Sequence, residues 1–174
     1  TDLPVFARLL DEETGGCVEL QPTGKFRTER RYVPETNVLE TTFLTDAGTV
    51  RVTDALVSGV AGRLPWAELA RRIDGVEGEV AMRWRVQPGS SLQTAAPWVE
   101  RTEHADIIRS GATALVVVGF AHGPIAAASE SSVGPEQEGS FTTSQGSRHL
   151  IALAATHGEP LHIPDAHNVD LGID

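Results

Sequence analysis

The sequence predicts a mainly β protein, folded as an antiparallel β-sandwich with a short helix at its N-terminal end. Beyond Gly16, apolar side chains recur with a period of two, which places alternate residues on opposite faces of a strand. Clusters of Gly, Pro, Asp or Ser interrupt this pattern about every 8–12 residues, as turns do between short strands. The clearest apolar face belongs to segment 80–87 and consists of Val80, Met82, Trp84 and Val86.

Residues 2–11 predict one short helix before the β region begins. Asp2 is a suitable N-cap, Pro4 suits the first turn, and the pair Gly15-Gly16 is typical of a helix end. Three apolar side chains at the i, i+3 and i+4 spacing would share one face of this helix. They are Phe6, Leu9 and Leu10.

Strands are predicted at 17–21, 25–33, 38–44, 49–56, 66–73, 80–87, 98–103, 106–110, 113–121, 140–143 and 149–156. Segment 64–73 is compatible with a helix that starts at Pro65 and also with a strand. We favour the strand because segment 74–79 has the composition of a hairpin connection. Segment 113–120 is almost continuously apolar, which predicts a central strand covered on both faces.

The remaining segments predict loops and a tail. Residues 126–147 contain few large apolar side chains and predict a long loop around one weak edge strand centred on Phe141. Residues 158–174 contain two prolines and scattered acids, which predicts a linker leaving the domain. The expected organisation is one β-sandwich domain at 1–157, followed by this linker.

Composition limits the classes of partner. The chain has 14 basic and 24 acidic residues, interspersed, for a net charge of −10. Nucleic acid and anionic membranes are disfavoured because their phosphate groups need clustered Lys and Arg. No apolar run approaches the ~18 residues of a membrane span, and no secretory signal is evident. With Cys17 as the single cysteine, no internal disulfide is available, so we expect a cytoplasmic protein with Cys17 as a half-buried apolar side chain.

Candidate catalytic groups are few. Acid–base catalysis commonly uses paired carboxyl groups, and the closest acidic pairs in the sequence are Glu12/Glu13 and Glu136/Glu138. Both pairs lie in polar segments with nothing apolar to raise a carboxyl pKa, so we expect solvated surface acids. No Gly-x-Ser-x-Gly motif and no phosphate-binding glycine loop occurs, so neither a serine hydrolase nor a nucleotide cofactor is predicted.

The six histidines do not predict a metal site. His157, His162 and His167 recur every five residues, a spacing that gathers them neither on a strand nor on a helix. No metal-binding motif includes the others, so we expect exposed or linker histidines and no cofactor. The others are His104, His122 and His149.

The three tryptophans are the candidates for carbohydrate contact, because sugar faces stack on indole rings. Trp84 alternates with apolar residues and is expected in the core. Trp66 and Trp98 each follow a proline and are the predicted substrate-binding residues. Packing in the core or at a domain interface is the competing interpretation of both.

Segment 31–54 carries the most specific motif of the chain. It runs Arg31-Tyr32-x-Pro34-x-Thr36-Asn37-Val38-Leu39-x-Thr41 and continues in Val50-Arg51-Val52-Thr53-Asp54. A second motif, Arg72-Ile73-x-Gly75-Val76-x-Gly78, precedes the alternating strand that ends at Pro88. These motifs resemble the N-terminal β-domain of glycoside hydrolase family 15, the bacterial glucoamylase, glucodextranase and trehalase-like enzymes. Residues 2–11 and 144–154 are similar to further segments of that domain.

The resemblance implies a supersandwich-like fold and a non-catalytic role. In this family an (α/α)6 barrel of the same polypeptide supplies both glutamates of an inverting mechanism, so no catalytic residue is assigned in this chain. The chain alone is expected to be inactive and to pack on that barrel, whose substrate would be an α-glucan or trehalose. The resemblance further implies a turn and interface cluster formed by Tyr32, Pro34, Thr36, Asn37 and Asp54.

The family's first strands carry a Gly-Ser-Ile-Asp-Trp motif that no segment of this chain matches. We therefore expect a sandwich without those strands and with an exposed edge, which predicts pairing with a second copy. The alternative function is a stand-alone carbohydrate-binding module that uses Trp66 or Trp98. A structural domain with no link to glycans is the third hypothesis.

Overall fold

The computed structural model describes residues 4–56, 67–90, 94–121 and 135–173. These residues form ten antiparallel strands and one short helix, which confirms the mainly β prediction. In chain order the elements are β1 (Cys17–Pro22), β2 (Phe26–Tyr32), β3 (Leu39–Thr45), β4 (Gly48–Leu56), β5 (Ala67–Gln87), β6 (Trp98–Arg101), β7 (Asp106–Ser110), β8 (Thr113–Ala121), β9 (Gln137–Ser144), β10 (Arg148–His157) and α1 (Ala166–Leu171).

Two layers share the long strand β5. Its first part, from Ala67 to Gly78, pairs with β4 and β10, whereas its second part, from Glu79 onward, pairs with β1 and β9. The larger layer has the strand order β2-β3-β4-β5-β10-β8-β7-β6, and the smaller layer places β5 between β1 and β9. Because one strand belongs to both layers, the smaller layer folds over the larger one without a loop between them.

The predicted hairpin at 74–79 is wrong, because β5 continues through it. The pairing of β4 with β5 skips Val76, so this segment is a β-bulge rather than a turn. A Cβ atom at Gly75 would stand 2.0 Å from the carbonyl oxygen of Ser144, and Gly78 has a φ of +67°. Both positions require glycine. The glycines that suggested a turn instead allow β5 to bend where it passes from one layer to the other.

The core lies between the two layers and contains the predicted apolar face of β5. Val80, Met82, Trp84 and Val86 are buried, while Ala81 between them is exposed. Leu20 and Phe141 complete the contribution of the smaller layer. The facing side chains of the larger layer are Phe43, Val50, Val52, Ile73, Ile108, Leu115, Ile151 and Leu153.

Strand β8 confirms the prediction of a central strand covered on both faces. It lies between β10 and β7 in the larger layer. Leu115 on one face joins the core between the layers, whereas Val118 on the other face packs in a second cluster under α1. A strand with apolar contacts on both sides has the continuous apolar sequence seen here.

Helix α1 covers part of the outer face of the larger layer. The Asp165 carboxylate caps the helix by accepting hydrogen bonds at 2.8 and 3.3 Å from two backbone N–H groups of its first turn. Val169 is buried against Ala70, Leu150 and Ala152. The segment predicted as a linker thus contains a packed helix, and the domain boundary at 157 stays a prediction. The described residues contain no helix of the length and apolarity that a membrane crossing requires.

The predicted N-terminal helix is wrong for the described residues of that segment. Residues 8–10 and 12–14 form turns. The Asp11 carboxylate accepts hydrogen bonds at 3.1 and 2.9 Å from two following backbone N–H groups. Such local bonds from a short acidic side chain favour a turn over a helix. Leu9 and Leu10, expected on an apolar helix face, are exposed.

Candidate functional site

The connection between β2 and β3 holds most of the predicted interface cluster. The backbone N–H of Val33 donates to the carbonyl of Val38 at 2.9 Å and closes the loop. The Thr36 hydroxyl donates to the Val33 carbonyl at 2.9 Å and accepts from the Val38 N–H at 3.1 Å. Pro34 and Asn37 lie in the same connection, and all three predicted side chains are exposed. The turn is therefore held by its own threonine and presents its outer surface to solvent.

Tyr32 and Asp54 belong to one row that crosses four strands. Tyr32 pairs with Leu39, Leu39 with Asp54, and Asp54 with Arg71. Directly opposite residues of antiparallel strands point to the same face of a sheet, so these four side chains share the inner face. The structure thus brings the two predicted residues together through Leu39.

Asp54 and Arg71 form a two-point ion pair in this row. The Arg71 Nε donates to Asp54 Oδ1 at 2.8 Å, and Nη2 donates to Oδ2 at 3.3 Å. The side chains are 17% and 18% exposed, so the pair is mostly shielded from water. Within the described residues the buried Arg71 Nη1 has no hydrogen-bond partner. One donor of a firmly held guanidinium is therefore left over.

The inner face at this end of the layer is open. Tyr32 is 68% exposed, and Leu56 at the end of β4 is 73% exposed. Leu69 pairs with Leu56 across β4 and β5 and is half-buried. We call this surface the open strip; it consists of Tyr32, Leu39, Asp54, Leu56, Leu69 and Arg71.

Of the two predicted carbohydrate contacts, Trp98 is exposed and Trp66 lies outside the described residues. Trp98 opens strand β6, the end of the larger layer opposite β2, and 53% of its surface is exposed. It pairs with Arg109, whose Nε donates to Glu100 Oε2 at 2.6 Å. An indole beside a charged pair offers one stacking surface and polar groups next to it. The open strip and Trp98 belong to opposite ends of the larger layer.

The acidic pairs give no arrangement for acid–base catalysis. Glu136 accepts hydrogen bonds from Arg85, one of them at 2.9 Å, and Glu138 pairs with Arg85 in the β5–β9 ladder. The bond to Glu136 raises the pKa of the Arg85 guanidinium above its ordinary value. Glu12 and Glu13 are exposed. Glu136 is therefore engaged in an ion pair with Arg85, and Glu12 and Glu13 lie in solvent.

The histidines in the described ranges are dispersed. His149 is fully buried, with its ring 4.6 Å from that of Phe141, and His157 Nδ1 lies 3.3 Å from the Thr113 hydroxyl. His104, His162 and His167 are exposed, and His122 lies outside the described ranges. Across those ranges no three His, Cys, Asp or Glu side chains are grouped as a metal ion would need.

Cys17 lies in a polar cluster on the outer face of the smaller layer. The Arg8 guanidinium donates to Cys17 Sγ at 3.0 Å and to Glu19 Oε1 at 2.7 Å. Burial first, and the negative charge of Glu19 second, raise the pKa of the Cys17 thiol. The raised pKa keeps the thiol protonated and poorly nucleophilic, because the thiolate is the reactive form.

Two residues of the open strip carry no signal in the sequence. Arg71 is 17 positions from Asp54, and only the register of β4 against β5 brings them together. Leu56 is an ordinary apolar strand residue by its pattern, and only the structure shows its exposure. Neither could be assigned without the pairing of the strands.

The chain is similar to a distantly related curated protein. The chain is 26% identical over 106 residues to a trehalase of Thermoplasma acidophilum. The match covers 59% of this chain and 18% of that trehalase, so the chain spans a small part of the curated relative. No protein-family model matches the chain. The comparison supports a distant relation to trehalase-like proteins.

Proposed function

We propose that the chain is the non-catalytic N-terminal β-domain of a bacterial family 15-like glycoside hydrolase of the glucoamylase or trehalase type. It packs on the catalytic (α/α)6 barrel of the same polypeptide and supports it in carbohydrate metabolism. The observation that carries this proposal is the relation to a trehalase of which the match covers only 18%. The described residues form a mainly β structure, which fits the β-domain of such an enzyme rather than its (α/α)6 barrel.

The open strip is the surface proposed to face the barrel. Contiguous exposed apolar side chains rimmed by polar groups are typical of interaction sites. Tyr32 and Leu56, both mostly exposed, supply the apolar area, and the turn at 34–37 supplies the polar rim. Tyrosine is enriched at protein interfaces because its ring buries a large area while its hydroxyl keeps a polar partner.

The ion pair between Asp54 and Arg71 fixes the positions of two polar side chains in the open strip. Asp54 holds the Arg71 guanidinium in a fixed plane by two hydrogen bonds. A buried donor without an acceptor costs about 1–3 kcal/mol, and Arg71 Nη1 is such a donor in the described part of the chain. Because this N–H is buried within the chain, it lies out of reach of an acceptor on the barrel. The ion pair therefore fixes the shape of the open strip and makes no bond to the barrel itself.

The test compares this chain, the barrel encoded with it and their mixture on maltose, isomaltose and trehalose. We expect no turnover by the chain and a higher Tm for the barrel when the chain is added, since binding to the folded state stabilises it. With the double variant Tyr32→Ala, Leu56→Asp, at least about tenfold more chain should be needed to produce the same shift in Tm. The control Trp98→Ala, which removes another exposed aromatic side chain at the opposite end of the layer, should leave the shift unchanged. Substantial sugar turnover by the chain alone contradicts the proposal.

A stand-alone carbohydrate-binding module is the second candidate, and the exposure of Trp98 beside Arg109 and Glu100 favours it. In that case maltooligosaccharides would change the tryptophan fluorescence, and Trp98→Ala would abolish the change. The variant Tyr32→Ala, Leu56→Asp would then bind sugar normally. No response up to millimolar sugar excludes this function.

A further inference from the structure

Strand β2 is an open edge of the larger layer. All seven of its residues are exposed, and among the described residues it pairs only with β3. An unpaired strand edge presents a row of backbone donors and acceptors to any extended chain that reaches it. β2 therefore has the unpaired backbone N–H and C=O groups that a strand-docking site requires.

The register shows which backbone groups of β2 point outward. Val33 donates its N–H to Val38, so this pair is of the hydrogen-bonded type, and the types alternate along an antiparallel ladder. Residues 27, 29 and 31 therefore bond to β3. Thr28, Arg30 and Tyr32 direct their N–H and C=O groups to the open side. These outward groups match the bonding pattern of one added strand.

The charge of this edge is opposite to that of the chain. Residues 25–32 contain four basic side chains and one acid, Glu29, in a chain of net charge −10. Arg31 is paired with Glu40 at 2.6 Å, on the outer face. No ion pair within the described ranges engages the other three, Lys25, Arg27 and Arg30. An acidic segment is therefore the complementary partner.

A cavity lies at the start of the same edge. It has a volume of about 260 Å³ and is open to solvent. Phe26 is 37% exposed there, and its ring packs edge-on against Phe43 with 5.3 Å between centroids. The lining residues are Lys25, Phe26, Arg27, Leu44, Thr45 and Asp46. Two apolar, two basic and two further polar residues, one of them Asp46, line this cavity, which suits one apolar side chain of a docked strand.

We propose that the β2 edge binds an acidic, extended polypeptide segment as an added antiparallel strand. Backbone bonds to Thr28, Arg30 and Tyr32 hold the segment, its carboxylates face the free basic side chains, and one side chain enters the cavity. A second copy of β2 is a poorer occupant than an acidic segment. The strand carries three arginines and one glutamate, so two copies would bring together edges of the same net charge. This inference concerns the chain alone and does not depend on the barrel.

The experiment uses the full 174-residue chain and a fluorescent peptide of alternating Glu and Val. We expect saturable binding by fluorescence anisotropy that weakens as salt rises, because exposed charges are screened. Hydrogen exchange should slow at the amides of Thr28, Arg30 and Tyr32. It should change little at Glu29 and Arg31, whose amides already bond to β3. This alternation identifies strand addition.

The variant Thr28→Pro removes an outward N–H while leaving the β2–β3 bonds in place, since proline is tolerated on edge strands. It should bind about fivefold more weakly, as expected for one lost backbone hydrogen bond, with an unchanged melting curve. Arg27→Glu combined with Arg30→Glu should abolish binding, whereas Arg101→Glu at the β6 edge should not. A peptide N-methylated at alternate residues should not bind.

Three outcomes would overturn the inference. The first is no binding at millimolar peptide. The second is equal binding of the N-methylated peptide or of single-stranded DNA, which would make the edge a general polyanion surface. The third is self-association of the free chain that Thr28→Pro abolishes, which would make a second copy the occupant.

Discussion

Replacement of Gly75 by alanine tests the corner at which β5 passes from one layer to the other. The added Cβ would stand 2.0 Å from the carbonyl oxygen of Ser144 and 2.8 Å from the Ser147 hydroxyl oxygen. Ordinary contact begins at 3.4 Å, so the strand or the β9–β10 connection must move by more than an ångström. The Ser144 oxygen belongs to the backbone and cannot rotate away as a side chain would.

This movement also strains two hydrogen bonds of the corner. Gly75 donates its N–H to the Ser147 carbonyl at 2.9 Å and accepts from the Gly146 N–H at 2.8 Å. Overpacking costs about 1–3 kcal/mol, and each backbone bond that is lost about 1 kcal/mol more. Gly75→Ala should therefore lower the free energy of unfolding by about 3–5 kcal/mol.

Urea denaturation followed by tryptophan fluorescence measures this loss, because Trp84 of the same strand β5 is buried in the core. Two matched variants separate the causes. Gly24 has no atom within 4 Å of its added Cβ, so Gly24→Ala should change stability by less than about 0.5 kcal/mol. Gly146 has equally open space but a φ of +80°, so Gly146→Ala should cost about 1–2 kcal/mol. If Gly75→Ala is as stable as Gly146→Ala, the claim that Gly75 is closely packed at the corner of β5 is refuted.

Three further predictions concern single side chains. The rate of Cys17 alkylation by iodoacetamide should rise with pH at a higher midpoint in the folded chain than in urea, because burial and Glu19 raise the thiol pKa; equal midpoints contradict this. The stability due to the protonated thiol is full below its ordinary pKa and is lost as pH rises through the folded pKa, so Cys17→Ser should flatten the stability profile at alkaline pH. Asp165→Ala removes the cap of α1 and should lower the free energy of unfolding, measured by urea denaturation, by about 1 kcal/mol. An unchanged value would show that α1 is not docked on the sheet. Asp54→Asn leaves the Arg71 guanidinium without its carboxylate and should lower the free energy of unfolding by about 1–3 kcal/mol. An unchanged free energy of unfolding would show that the ion pair does not stabilise the open strip.

Strand positions were predictable because the alternation of apolar residues and the turn-forming residues between strands are local features of the sequence. β7 and β8 have the predicted bounds, and the other predicted strands differ by a few residues at their ends. The failures have different causes. Glycine in segment 74–79 is compatible with a turn and with a bulge, and the long-range contact of Gly75 with Ser144 decided for the bulge. Near the N-terminus, the local hydrogen bonds that Asp11 accepts from the N–H groups of Glu13 and Thr14 decided for a turn. The helix in segment 158–174 depends on packing of Val169 on the larger layer.

The candidate site was predictable only in part. Tyr32, Pro34, Thr36 and Asn37 were singled out from their motif, and the structure places them at one end of β2 and in its turn. That they flank an open surface, and that β2 is an edge, depends on strands far away in sequence. Neither the exposure of a residue nor the partner of an edge is a property of its neighbours along the chain.

The sequence by itself determined the β class of this protein, most of its strands, the burial of Trp84 and the turn at 34–37, because each depends on a pattern within a few residues. Only the tertiary structure decided that β5 joins two layers, that Arg71 pairs with Asp54, and that β2 and Leu56 face solvent. The physical reason is register. Strand pairing is long-range, and a shift by one residue would turn every side chain of the strip to the opposite face.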